Sequence, residues 1–300
     1  MSESLQFPIV GVGASAGGIP ALKAFFEKMP ANPGMAFVIV THLSPDRESF
    51  LHEVVARYTL LPVAVTEQGM VVRENHVYVM PSNTILTIKG GRLQIRKPDQ
   101  AKRERKPIDI FFASLALDRA EQSAAVILSG GDGDGTLGAK AIREAGGFAI
   151  AQASDGSGPQ NPEMPRTAIS SGVADLALPA EDMANRLISF ARGLKASDEL
   201  AHPSPDGQEA KLEKAHQEIC AIMSRQSSHD FSGYKTKTFF RRVHRRMQVR
   251  QVRSLRAYIE LLENEPGEVT SLFRDLLINV TTPAQAAIRR HCSQTFRPSA

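Results

Sequence analysis

The chain has no tryptophan, two cysteines and only 6% aromatic residues in its 300 positions. The missing tryptophan decides nothing. The scarcity of cysteine does: Cys220 and Cys292 lie far apart, which excludes a disulfide framework and a cysteine-rich zinc site and suits a reducing cytoplasm. Long apolar runs are also lacking. Residues 35–40 are typical of the longest, far short of the ~20 needed to cross a bilayer, so no membrane insertion is expected. The N-terminus, MSESLQFPIVGVG, has no basic segment leading into a long apolar one, so neither a secretory nor a transit signal is expected. With 42% apolar and 23% charged residues, wholesale disorder is excluded.

What is present suggests two modules. A length of 300 corresponds to roughly two domains of ~150 residues. The net charge of +4 is unevenly shared. Residues 1–210 carry 20 Lys and Arg against 24 Asp and Glu, whereas residues 211–300 carry 16 against 8. A basic module can meet nucleic acid, a membrane surface or an acidic protein.

In the first module, short apolar runs alternate with helical periodicity. Strands are expected at 7–12, 35–40, 62–66, 124–128, 148–152 and 175–178, with helices between them and a last helix over 181–194. The rhythm changes at 76–80, 85–88 and 92–96, three short strands whose connections Ser82-Asn83 and Gly90-Gly91 read as hairpin turns. Repeated βα units force parallel pairing with helices on both faces. The expected fold is therefore a doubly wound, mostly parallel α/β sheet with an inserted antiparallel hairpin. Residues 196–208, rich in Pro and small polar residues, read as a linker. A small all-α module follows over 209–281, with helices at 209–225, 235–252, 254–263 and from 266 to about 280.

The loop after the first strand, Gly11-Val12-Gly13-Ala14-Ser15-Ala16-Gly17-Gly18, admits three readings. G-x-G-x-x-A suits a dinucleotide pyrophosphate, but needs an acid at the end of the second strand to hold the ribose; that strand ends in Thr41-His42, and the nearest acid is Asp46. Gly13-x-Ser15-x-Gly17 suits a nucleophile elbow, whose small neighbours let a strand turn sharply into a helix. It can also be a glycine-rich turn whose serine caps the next helix. His42 follows the second strand, so it lies at the same sheet edge as Ser15, where a base for a serine nucleophile is needed. The segment Ser129-Gly130-Gly131-Asp132-Gly133-Asp134-Gly135 also follows a strand directly. It lacks the ligand pattern of an EF-hand calcium loop, and no metal site is expected. Asp134 can cap the helix that follows or orient His42, and the glycines would let amides approach an oxyanion.

Taken in order, IVGVGASAGG (9–18), VTHL (40–43), KPID (106–109), LSGGDGDGT (128–136), EAGGFAIAQ (144–152) and Met164-Pro165 resemble the catalytic domain of the chemotaxis protein-glutamate methylesterases, the CheB family, over residues 1–195. The resemblance implies hydrolysis of γ-glutamyl methyl esters on chemoreceptors, with related deamidation of glutamine and no cofactor. It implies Ser15 as nucleophile, His42 as base, Asp134 as orienting acid, and an oxyanion hole of amides near Ala16 and Gly131. The family usually carries Met where this chain has Gly131 and Gly where it has Asp132. Its usual receiver domain would precede residue 7, so control by phosphorylation in cis is not expected. The segment HDFSGYKTKTFFRRVHRRM (229–247), Tyr258 and LLINVT (276–281) are similar to the N-terminal helical domain of the chemotaxis receptor methyltransferases, the CheR family. Arg241, Arg242, Arg245, Arg246 and Arg250 recur there at helical spacing. They read either as a solvated basic face or, by the resemblance, as a docking face for the methylated receptor's cytoplasmic region or a similar acidic helical protein. Nucleic acid is not an expected partner. Residues 282–300 depart from the family and are expected to be a disordered tail. No glycine-rich loop for a methyl donor follows, so no methyl transfer is expected. The alternative is a non-catalytic scaffold or nucleotide-binding module that docks a partner through the basic helices.

Overall fold

A computed structural model describes residues 6–41, 50–99, 106–154, 158–201, 208–226, 236–252 and 254–277. The chain divides into two compact units, residues 1–191 and 192–300.

Among the described residues the first unit has nine strands: β1 (Ile9–Ala14), β2 (Ala36–Thr41), β3 (Val63–Val65), β4 (Val77–Val79), β5 (Ile85–Lys89), β6 (Arg92–Arg96), β7 (Ser123–Ile127), β8 (Phe148–Gln152) and β9 (Leu176–Leu178). Its helices are α1 (Gly18–Glu27), α2 (Leu51–Ala56), α3 (Pro107–Arg119), α4 (Thr136–Glu144) and α5 (Glu163–Ser170), and α6 (Met183–Ala201) continues past the unit's end. Seven strands form one parallel sheet in the order β3-β4-β2-β1-β7-β8-β9, and β5-β6 form a separate antiparallel pair. β1, β2, β7 and β8 are buried along their whole length, as covering both faces of a parallel sheet requires. The chain runs from β1 outward to β2, then returns to place β7 on the other side of β1. The order therefore reverses between β1 and β7, where open α/β sheets bind their ligands.

The two faces of β1 are packed differently. On one, Phe25 and Phe26 of α1 meet Phe37 of β2 edge to face, with ring centroids 4.9 to 5.9 Å apart. On the other lies α3. A Cβ on Gly11 would stand 2.6 Å from the Phe112 ring, and one on Gly13 would stand 2.6 Å from Ile108 Cγ2. Those two glycines let α3 lie directly against the central strand.

The expected run of three antiparallel strands is corrected. β4 is a parallel member of the main sheet between β2 and β3, and Ser82-Asn83 only leads out of it. Gly90-Gly91 is the hairpin turn. Both residues have positive φ, +58° and +69°, and both amides donate to the Asp118 carboxylate on α3. Three valine-rich residues do not reveal on which side their partner lies. A helix also replaces the first part of the expected linker, because α6 runs on to Ala201.

The second unit packs α7 (Gln208–Gln226), α8 (Thr236–Arg250), α9 (Leu255–Asn264) and α10 (Pro266–Leu277) around Ile219, Met223, Phe239, Val243, Tyr258 and Leu272. Burial runs against a docking role for three of the five arginines. Arg242 is fully buried, and Arg245 and Arg246 are nearly so. Arg245 pairs with Asp275; Arg246 makes a two-pronged bond to Glu268 at 2.8 and 2.6 Å; Arg250 reaches Glu265 and Glu268. Tyr258 Oη donates to the same Glu268 at 2.9 Å. Desolvation alone would lower the Arg246 pKa, but the bond to Glu268 outweighs it and the net shift is upward. For Arg242, Arg245 and Arg246 the helical spacing is that of a core stripe, and Asp275 and Glu268 on α10 supply the countercharges of Arg245 and Arg246. Arg241 is half-buried and Arg250 exposed.

Removing Glu268 would strand a buried guanidinium and a buried hydroxyl at once. Glu268→Ala should destabilise the helical unit by about 3–5 kcal/mol. Arg256→Ala, which breaks only the exposed 3.3 Å pair with Glu260, should leave it unchanged. Hydrogen exchange of the α8 amides under rising denaturant reads both.

Candidate active site

Two loops meet at the point where the strand order reverses. β1 ends at Ala14, and the chain turns through Ser15, Ala16 and Gly17 into α1. Gly17 takes φ +71°, and a Cβ there would crowd Ser129 Oγ at 2.8 Å. Ala14 and Gly18 come so close that a Cβ on Gly18 would stand 2.9 Å from that of Ala14. Small residues at 14, 17 and 18 therefore serve the sharp turn. Ser15 lies at its apex, half-buried.

The second loop follows β7. The Ser15 amide donates to Ser129 O at 2.9 Å, and Ser129 Oγ donates to Ala16 O at 2.8 Å. Ser129 is held in turn: its amide donates to Gln152 Oε1 at 3.0 Å, and its Oγ accepts the Asn161 amide at 3.0 Å. The serine turn is thus held by Ser129, which is itself bonded to Gln152 and Asn161.

Asp134 is completely buried. Its Oδ2 accepts the Ile108 amide at 3.1 Å, and its Oδ1 accepts the amides of Asp109 and Gly135 at 2.9 Å each. The carboxylate therefore closes the first turn of α3. Burial raises its pKa to about 6; the Asp109 charge adds to the rise, and the amide bonds oppose it. Ile108 joins this group to the serine turn, since its Cγ2 lies against both Gly13 and Gly135.

The structure thus brings Ser15, Ala16, Gly131 and Asp134 to one sheet edge. His42 lies outside the described residues, directly after the end of β2; Thr41, its neighbour, pairs in register with Ala14. The dinucleotide reading loses its first two glycines, because Gly11 and Gly13 lie inside β1 and make room for α3. The turn does not use Ser15 as a side-chain cap of α1 either. Ser129, Gln152, Asn161 and Asp109 support the site and escaped sequence reasoning. The signal for Ser129, Gln152 and Asp109 was polarity at the ends of apolar strands and in the first turn of a helix; Asn161, in the connection before α5, gave none.

Residues 10–187 match the family described as CheB methylesterase, and residues 214–277 match the all-alpha domain of CheR methyltransferase. An uncharacterised 104.1 kDa protein of Rhodobacter capsulatus is 37% identical over 76% of this chain and 25% of its own length. The protein-glutamate methylesterase/protein-glutamine glutaminase of the group 3 operon of Rhizobium meliloti is 36% identical over 62% of this chain and 52% of its own. The chain thus spans a quarter to about half of the curated relatives it matches. The crystal structure of the Thermotoga maritima CheB methylesterase catalytic domain superposes with a TM-score of 0.56 at 28% identity, covering 62% of this chain and all of that one. The match from β1 to α6, in sequence and in fold alike, places this chain in the CheB methylesterase family.

Proposed function

We propose that the chain is a protein-glutamate methylesterase acting on methylated chemoreceptors, with Ser15 as nucleophile, His42 as general base and Asp134 as the orienting acid. The observation that carries this reading is the fixed junction of the serine turn with the loop that holds Asp134. In the reaction, Ser15 Oγ attacks the γ-glutamyl ester carbonyl while His42 takes its proton. His42 then returns that proton to the leaving methoxide, which departs as methanol. Water, deprotonated by His42, attacks the acyl-serine; glutamate is released and Ser15 regains its proton. The same steps with an amide and ammonia would deamidate glutamine, as the relatives' names suggest.

The oxyanion hole follows from peptide planarity. In a trans peptide the C=O and the next N–H point in opposite directions. Ser15 O accepts the Gly18 amide at 2.9 Å, which aims the Ala16 N–H away from α1. Gly130 O accepts the Met164 amide at 3.1 Å, which aims the Gly131 N–H away from α5. Neither N–H has an acceptor among the described residues. Two oriented amides of this kind suit a developing oxyanion. The helical unit corresponds to the all-alpha part of a methyltransferase alone, and no methyl transfer is proposed for it.

Ser15→Ala or His42→Ala should lower kcat for methanol release from a methylated receptor fragment by at least roughly 10⁴-fold with the fold intact, because the three side chains act as a unit. Near-wild-type turnover by either variant sinks the assignment.

Activity should also rise with pH. His42 must be neutral to accept a proton, and Asp134 must be ionised, with a pKa of about 6. Both requirements are met on the alkaline side. A kcat/KM profile that is flat from pH 5 to 8, with chemistry rate-limiting, contradicts this.

Gly131 offers a cleaner test of the hole. A Cβ there would meet nothing within 4 Å, so Gly131→Ala should keep both fold and turnover. Gly131→Pro removes the amide proton, while also fixing φ, and should cost about 10²-fold in kcat. Equal rates for the two variants would remove Gly131 from the hole.

A further inference from the structure

The two helices that begin beside the site exchange caps. Asp134, just before α4, accepts the Ile108 and Asp109 amides of α3. Asp109, in the first turn of α3, accepts the Gly138 amide of α4 through Oδ1 at 2.8 Å. Neither helix carries a side-chain cap from its own N-cap residue, Lys106 or Gly135. Each first turn therefore depends on the other helix's carboxylate. We propose that Asp109 is a positioning residue for the Asp134 carboxylate, clamping it between the N-termini of α3 and α4.

The clamp rests on three observations. Asp109 is 8% exposed, so its bond to Gly138 is made away from water, where a lost partner is costly. Gly138 cannot shift to find another acceptor, because a Cβ there would stand 2.5 Å from Phe112 Cβ and 2.8 Å from Asp109 O. Only three residues separate Asp134 from Gly138, so loosening the first turn of α4 loosens Asp134. The second oxygen, Asp109 Oδ2, is buried without a hydrogen-bond partner among the described residues and faces Lys106 Nζ at 3.9 Å. Desolvation raises the Asp109 pKa, and the amide bonds and Lys106 oppose the rise. The charged groups set against the pair by the described residues are Lys106 on Asp109, and Asp132, whose Oδ1 accepts the Asp134 amide at 3.0 Å. The Asp109 charge also raises the Asp134 pKa, though less than burial does.

The inference rests on the esterase reading, and the test separates the two. Asp109→Ala removes the acceptor and should lower kcat at least about tenfold with KM little changed. Asp109→Asn keeps an oxygen for Gly138 and should restore kcat to within about threefold of wild type. It also deletes the neighbouring charge, so the acid limb of kcat/KM should move to lower pH by roughly half a unit or more. Carboxyl ¹³C NMR should show the Asp134 titration moving the same way, a readout that needs no activity. Wild-type kcat and an unmoved Asp134 titration in Asp109→Ala and Asp109→Asn overturn the proposal. Should either variant fail to fold, the wild-type protein decides. Coupled, two-step titration of Asp109 and Asp134 supports the clamp, and independent single steps overturn it. Ser15→Ala, run alongside, reports on the esterase reading alone: turnover by that variant sinks the reading and leaves the NMR titration to answer for Asp109.

Discussion

The exchange of carboxylates between the first turns of α3 and α4 is the constraint on which the site depends. Two helix N-termini converge beneath the end of β1, and each brings amides that have no partner in their own helix. Aspartates at 109 and 134 satisfy these amides crosswise. An acid placed there is stabilised by amides and helix dipoles and at the same time removed from water. Burial prevails for Asp134, so it is an acid poised near neutrality rather than a permanently charged one. One local arrangement thus shapes both the architecture and the chemistry.

The serine turn depends on a second set of bonds that leads outward. Ser129 receives and donates at three places, and through Gln152 and Asn161 it connects the ends of β1, β7 and β8. Each of these bonds has at least one backbone partner, and the Ser129 and Gln152 side chains complete three of them. The bond to Ser129 O holds the Ser15 backbone, which limits how far its hydroxyl can wander.

Much of this was legible in the sequence, for identifiable reasons. Strands buried on both faces leave continuous apolar runs, so β1, β2, β7 and β8 could be placed to within about two residues. The helix expected from 254 begins at Leu255, with the Ser254 side chain accepting the Ala257 amide. What could not be read was pairing across distance. β4 has the composition of a hairpin strand and the position of a sheet strand. Arg245 and Arg246 look like surface charge until Asp275 and Glu268, on another helix, are brought beside them. Asp109 reads as an ordinary first-turn acid, because its true partner is the amide of Gly138. Local pattern gives elements, whereas contacts between elements decide which face of each is inside.

The bare face of β1 has one more consequence. Phe112 fits against Gly11 and Ile108 against Gly13. Two residues along a strand advance roughly 6.6 Å, and four along a helix roughly 6 Å. The two repeats are nearly commensurate, so strand and helix engage like the marks of a vernier, with two teeth seated at once. Sliding α3 by a single residue would unseat both. The helix also runs counter to the strand, its later residue against the earlier glycine, which brings its first turn level with the strand's carboxyl end. The height of the Ile108 and Asp109 amides at the sheet edge is therefore set by the pitch of two regular structures, and no loop has to measure it.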